Sequence, residues 1–472
     1  MTGTRTGHGA GYRHTQLLQA LAEQGPSLGL IDAEASSGAR VSTVRRARAS
    51  LVARRAMETR ELVLLDRDGV LSWQPTVDAD RRFAARRGDR RRARRGPSLP
   101  DGAEEVVRIR MPVLGPNQYM QSLAQLDDRL NPDNALGLRR VVATPDGRLV
   151  PGAQVRGPFA GRTLLIVHGT FSSARSLVAD VAETEDGARL LRAALDDRYD
   201  QVLCFDHATL SVSPFINALD LAQQMGPTAG ELDIIAHSRG GLVVQWWLEV
   251  LGAPLEAARA LPRAFFAGSP LRGTSAAAPD KIHALVNLIT NIGAALSAMA
   301  TVGAATNPFA TAAFGLTKLL GNALFDALAI PPVNDLGARG SLDAAVAVIP
   351  GLQGQSAVDN NAELLRLSRA KSTLEPLYAA VITNFETDHP GWKFWRNFRG
   401  DRLADTLTGT IFTEANDLVV DTAHMTVLGA RGDIPRERVL RFPEKSGVWH
   451  CSYFSKRETI AAIREAFSEK RG

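Results

Sequence analysis

Ser238 stands in the stretch Leu-Asp-Ile-Ile-Ala-His-Ser-Arg-Gly-Gly, residues 232–241 of a 472-residue chain. A serine oxygen attacks a carbonyl only where the chain exposes it beside a base. Ile234 and Ile235 read as the tail of a buried strand. Leu242, Val243, Val244, Trp246, Trp247 and Leu248 recur like the apolar face of a helix. Ser238 therefore falls on a strand–turn–helix, with Gly240 at +2 and Ala236 at −2, and such small neighbours let the chain bend sharply. A helix that begins right after the serine aims its first N–H groups and its dipole at the reacting oxygen. Ala236 departs from the G-x-S-x-G pattern, although a methyl group is still small. A plain helix N-cap serine would give the same local pattern, so the rest of the chain has to decide.

The elements that would position Ser238 are legible on both sides of it. Arg162–Val167 is an apolar run of the kind buried on both faces of a parallel sheet, and it ends in the loop His168–Ser173. Gln201–Asp206, Leu232–Ala236 and Arg263–Ala267 repeat that character. Helical stretches such as Ala188–Leu195 and Ile216–Met225 lie between them. The alternation predicts an α/β fold with a mostly parallel, doubly wound sheet. Ligands in such sheets bind beyond the carboxyl ends of the strands, which places His168, Gly169 and His237 around the site. Asp206-His207 is expected to cap a strand end.

With His168-Gly169-Thr170 after an early strand, His237-Ser238-Arg239-Gly240-Gly241 on an elbow and Gly268-Ser269-Pro270 after the next strand, the chain resembles the α/β-hydrolase superfamily. The likeness is to its bacterial lipase and esterase branch, including lipid-deacylating serine hydrolases, and it covers roughly Arg162 to the C-terminus. It implies the chain order serine, acid, histidine. Asn416-Asp417 before Leu418-Val419-Val420 resembles the acid turn, and His450 precedes a last helix over Lys456–Phe467. The resemblance thus implies Ser238 as nucleophile, Asp417 as acid and His450 as base. Asp421 and Glu414 remain rivals for the acid, and His424 for the base. The oxyanion hole carried over from the family is the backbone N–H of Arg239 and of Thr170. The activity implied is hydrolysis of a carboxylic ester, lipid-like, through an acyl-enzyme. An amidase or thioesterase would use the same three residues.

The first hundred residues lie outside that likeness. Thr15–Gln24 and Val41–Ala56 read as helices, and Glu61–Trp73 reads as a hairpin turning at Asp66-Arg67-Asp68-Gly69. Helices followed by a hairpin could form a winged-helix module or a small docking domain of α+β type. Arg81–Arg95 is mostly arginine and reads as a solvated basic linker; contact with a phosphate-bearing nucleic acid or lipid through it is the other reading. Glu105–Val113 alternates and is expected to be the first strand of the hydrolase unit. The domains expected are 1–78 (helix and hairpin), 79–103 (basic linker) and 104–472 (hydrolase, with a lid insertion at about 274–370).

Within that insertion, residues 282–317 contain no Asp, Glu, Lys or Arg. A helical lid, an interfacial segment that opens on lipid, and a transmembrane hairpin over Leu285–Ala304 are the three readings. The net charge is +5 and the pI near 9.4, with arginine concentrated in the N-terminal hundred residues. Two cysteines, Cys204 and Cys451, make no disulfide framework. No apolar leader is visible, and a cytoplasmic setting is expected, with membrane association only under the interfacial reading of the insertion. No metal or organic cofactor is implied, since neither ligand spacing nor a glycine-rich phosphate loop is found. A binding or switch module regulated by a partner or by nucleic acid is the alternative to an enzyme.

Overall fold

The computed structural model describes residues 14–24, 32–35, 59–75, 102–112, 116–131, 133, 135–227, 230–252, 261–278, 281–298, 309–317, 319, 349–370, 376–387, 390–398, 411–412 and 414–468. The expected helix Val41–Ala56 and the basic run Arg81–Arg95 lie outside the described residues.

Two sheets form. The small one contains β1 (Asp32–Ala35), β2 (Thr59–Arg67), β3 (Val70–Pro75) and β4 (Glu104–Pro112) in the order β1-β4-β2-β3, every pair antiparallel. The β2–β3 turn takes positive φ at Asp68 (55°) and Gly69 (85°), the left-handed pair that a two-residue hairpin needs. The Asp66 carboxylate accepts the Gly69 N–H at 2.7 Å and pins the turn.

β4 was expected to open the large sheet and instead sits inside the small one, between β1 and β2. The cause is in its alternation. Val107, Ile109 and Met111 are buried, while Arg108 and Arg110 reach across to Glu61 at 2.7 and 3.2 Å. A strand with one wet face suits an antiparallel sheet; a doubly wound parallel strand is apolar on both faces.

The large sheet holds β5 (Gly137–Ala143), β6 (Leu149–Gln154), β7 (Arg162–Val167), β8 (Gln201–Asp206), β9 (Glu231–His237), β10 (Arg263–Ala267), β11 (Leu377–Thr383) and β12 (Val439–Phe442). Its order is β12-β11-β10-β9-β7-β8-β5-β6. β7 to β12 pair in parallel, and the β5–β6 hairpin closes one edge antiparallel. Helices cover both faces, and β7 shows why. Leu165 and Val167 enter one core with helices Pro214–Met225 and Arg239–Val250, while Leu164 and Ile166 enter the other with helices Ala174–Val181 and Arg457–Ala466. This is the α/β-hydrolase fold. The strand order reverses around β7, so the carboxyl ends of β7 and β9 flank the crevice where such sheets bind ligands.

A third core joins the small sheet to the crevice. It gathers Leu64, Leu71, Trp73 and Ile109 with Leu123 and Leu126 of helix Pro116–Leu130. It continues through Val286, Ile289 and Phe314 of the charge-free stretch to Phe171, Leu418 and Trp449. Helix Ile282–Ala298 lies along the outer edge of β3. Asn291 accepts the Leu71 N–H at 2.9 Å and donates to the Leu71 carbonyl at 2.7 Å. Asn287 accepts the Trp73 N–H at 2.9 Å, and His283 donates to the Trp73 carbonyl at 2.7 Å. The fit is one of pitch. Two residues of strand advance about 6.7 Å, and four residues of helix advance about 6 Å. Among the described residues no helix is long and apolar enough to cross a membrane. The polar positions that weaken this stretch as a membrane span are the ones that meet the strand.

Candidate functional site

Ser238 sits at the carboxyl end of β9, on the turn into helix Arg239–Val250, with φ 53° and ψ −129°. A positive φ is costly for a side-chain-bearing residue, and its persistence means that the surroundings fix it. The surroundings are glycines in tight places. A Cβ on Gly240 would come 2.4 Å from the Val167 carbonyl oxygen, and one on Gly241 would come 2.3 Å from Ser269 Oγ. The Ser238 N–H donates to the Ala267 carbonyl at the end of β10 at 2.9 Å.

Three residues far apart in sequence meet at this turn. His450 Nε2 lies 2.8 Å from Ser238 Oγ, and His450 Nδ1 lies 2.8 Å from Asp417 Oδ2. The His450 main-chain N–H donates to the Asp417 carbonyl at 3.0 Å, which ties the two loops together. Asp417 is fully buried, and its loop turns through Leu418 at φ 85°. Asp417 Oδ1 accepts the N–H groups of Val419 (3.1 Å) and Val420 (2.8 Å), and Oδ2 also accepts the Tyr453 hydroxyl at 2.8 Å. A carboxylate held by so many donors stays where it is and leaves one direction open to the imidazole.

The rivals lie elsewhere. Asp421 accepts the Ser275 N–H at 2.7 Å, and His424 Nδ1 donates to the Gly273 carbonyl at 2.9 Å. Glu414 is exposed.

His168, Gly169 and Thr170 follow β7 directly and run beside the serine. A Cβ on Gly169 would stand 2.6 Å from Ser238 Cβ, so only glycine lets the loop come this close. Arg239 is the first residue of its helix, a position whose N–H has no partner within the helix. His237 donates from Nε2 to the His450 carbonyl at 2.8 Å, and burial pushes its pKa down to about 3, with His450 adding to the effect. It is a fixed neutral donor behind His450.

Asp206 does not cap its own strand. It accepts the Ala174 N–H at 2.7 Å at the start of the helix that follows β7, and His207 stacks on His168 with ring centres 4.1 Å apart. Tyr453 and Gln355 were not singled out by sequence. Gln355 Oε1 accepts the Thr170 hydroxyl at 2.8 Å. The only hint of Tyr453 is a hydroxyl three residues after His450; nothing in the sequence points to Gln355.

The site is covered. Ser238 and His450 are each 4% exposed. Phe309, the first described residue of the helical stretch 309–317, lies 6.4 Å from the Phe171 ring and 6.4 Å from the Trp449 ring. It thus touches the loops that carry Thr170 and His450. Trp392 packs against Trp449 with ring centres 5.1 Å apart and the ring planes tilted by 57°. Among the described residues no group of His, Cys, Asp or Glu is arranged to hold a metal ion.

Residues 142–468 match a family described as a domain of unknown function (DUF7379). No curated protein matches the chain. Solved structures similar to it include lipase 1 from Pelosinus fermentans, at 13% identity and a TM-score of 0.40 over 66% of this chain and 100% of that one. Naproxen esterase from Bacillus subtilis matches at 11% identity and a TM-score of 0.32 over 76% of this chain and 100% of that one. At such identities and scores these likenesses add nothing to what the strand order already says.

Proposed function

Since this chain belongs to the family described as a domain of unknown function (DUF7379), which assigns no reaction, we propose one from the site: it is a serine hydrolase that cleaves a carboxylic ester. The observation that carries this reading is the single line of hydrogen bonds from Ser238 Oγ through His450 to Asp417, with the serine on a positive-φ turn.

His450 Nε2 takes the Ser238 proton as Oγ bonds to the ester carbon, and the carbonyl oxygen becomes an oxyanion. The N–H groups of Arg239 and Thr170 receive that oxyanion. The intermediate collapses, the ester C–O bond breaks, and His450 returns the proton to the leaving alcohol. Water then repeats the sequence on the acyl-enzyme and releases the acid. Asp417 holds the ring in the tautomer with its proton on Nδ1 and stabilises the imidazolium.

A lipid-like substrate is favoured by what covers the serine. Phe309 packs on Phe171 and Trp449, the aromatic residues beside Thr170 and His450 in the two loops, and Trp392 packs on Trp449. The stretch 309–317 acts as a lid that moves aside for the ester, and an apolar surround suits an acyl chain.

The test is covalent labelling by a fluorophosphonate probe, on the wild type and on Ser238→Ala, with and without detergent. Labelling that is lost in Ser238→Ala supports the reading. A folded wild type that stays unlabelled in both conditions refutes it. Initial rates on p-nitrophenyl esters of increasing chain length, against the matching anilide and thioester, then separate a lipid esterase from an amidase or thioesterase.

A further inference from the structure

The Arg239 guanidinium is wholly buried, and its hydrogen bonds run to neutral acceptors. Nη1 donates to His207 Nδ1 at 3.1 Å, and Nη2 donates to the Val212 carbonyl and to Asn217 Oδ1, each at 2.6 Å. Nε has no partner among the described residues. Burying a cation this way costs stability, and an apolar side chain would fill the space more cheaply. Burial lowers its pKa to about 9, against the pull of Asp127.

The hydrogen bonds lead to the loop beside the serine. Arginine only donates, so His207 Nδ1 accepts and its proton sits on Nε2. That Nε2 donates to the His168 carbonyl at 3.1 Å. The His207 main-chain N–H donates to His168 Nε2 at 3.2 Å, which puts the His168 proton on Nδ1, and Nδ1 donates to the Gly169 carbonyl at 2.9 Å. Thr170 comes next, held from its other side by Gln355 at 2.8 Å.

We propose that the Arg239 guanidinium and the His207 imidazole form a brace that fixes the Thr170 N–H relative to the Arg239 N–H. Both are positioning residues for the Ser238 reaction. One residue thereby supplies an oxyanion donor from its backbone and places the second donor with its side chain. This rests on the serine-hydrolase reading and adds to it a reason for arginine after the serine.

The test compares His207→Phe, which removes both imidazole bonds, with His207→Gln, which keeps a donor and an acceptor at its tip. Asn217→Ala is a third variant that loosens the guanidinium from outside the loop. The readouts are the rate constant for fluorophosphonate labelling, and kcat and KM on p-nitrophenyl butyrate. His207→Phe is expected to label about 100-fold more slowly, the scale of a reacting group displaced by about 1 Å. The loss should fall on kcat and spare KM, as for an interaction made only in the transition state. His207→Gln should recover most of the rate, and Asn217→Ala should lose about 10-fold.

Wild-type rates in His207→Phe and Asn217→Ala overturn the brace and leave the hydrolase reading standing. A loss that His207→Gln does not recover, or that appears in KM alone, marks a packing role and also overturns the brace. If His207→Phe does not fold, Asn217→Ala decides. A wild type that does not label overturns the hydrolase reading and the brace with it.

Discussion

The Tyr453 hydroxyl and the His450 imidazole meet on one oxygen: each lies 2.8 Å from Oδ2 of Asp417. Burial pushes the Tyr453 phenol well above its ordinary range, so it remains a proton donor at any pH the fold tolerates. Tyr453→Phe removes one hydrogen bond to a buried carboxylate and leaves the ring in place. A hydrogen bond to a charged group contributes about 1.5–3 kcal/mol. The variant should lose that much in urea unfolding, and an unchanged midpoint would show that the tyrosine contributes packing alone.

Gly169→Ala should separate activity from stability. The added methyl falls 2.6 Å from Ser238 Cβ and 3.2 Å from Ser238 Oγ. Either the loop or the serine must shift, and a shift near 1 Å at a reacting group costs about 100-fold in rate. Fluorophosphonate labelling should slow by that factor. Labelling at the wild-type rate would mean that the loop has room to withdraw and does not hold the oxyanion.

Stability should fall below neutral pH through histidines. Burial lowers the pKa of His168, His207 and His283 below the ordinary histidine value of 6.5. Above pH 6.5 neither folded nor unfolded histidines carry protons. Below it the unfolded chain binds protons that the folded chain refuses, so stability is lost as pH falls. Each such histidine contributes at most about 1.4 kcal/mol per pH unit. Urea midpoints measured from pH 7.5 down to pH 5 should decline, and His283→Gln should reduce the slope by about one proton. An unchanged slope in that variant would show that His283 takes up its proton in the fold.

Asn291→Leu should orphan a strand. It leaves the Leu71 N–H and carbonyl without the amide that meets both. Each buried polar group left unpaired costs about 1–3 kcal/mol. Calorimetry should show a large drop in unfolding temperature. A change of less than about 0.5 kcal/mol, the range of a neutral surface substitution, would show that the helix does not hold the strand edge.

The large sheet was legible because its strands are doubly apolar and separated by helical runs. Arg162–Val167, Gln201–Asp206 and Arg263–Ala267 coincide with β7, β8 and β10. The β2–β3 turn was legible because Asp68-Gly69 is a local signal. β4 was misplaced because alternation tells a strand from a helix but does not say which sheet it joins. Ser238, Asp417 and His450 could be put in order from sequence, since order is one-dimensional. The distances that join them belong to the crevice. The pairing of His207 with Arg239, and of Tyr453 with Asp417, depends on loops from separate strands and leaves no periodic trace. The charge-free stretch was ambiguous for a related reason. Hydropathy averages its amides into a weakly apolar signal, whereas their meaning lies in which peptide group each one faces.

The edge of β3 has a consequence beyond stability. An uncovered strand edge is a template on which a strand from another molecule can add, and addition of that kind leads to aggregates. On Leu71 and Trp73 those peptide groups are already occupied by side chains of a helix, which offers no strand edge of its own to extend the sheet. A carboxylate or an ammonium could serve only half of each pair, because one accepts and the other donates. The amides and the imidazole of this otherwise charge-free helix thus close the β3 edge at Leu71 and Trp73 to a further strand.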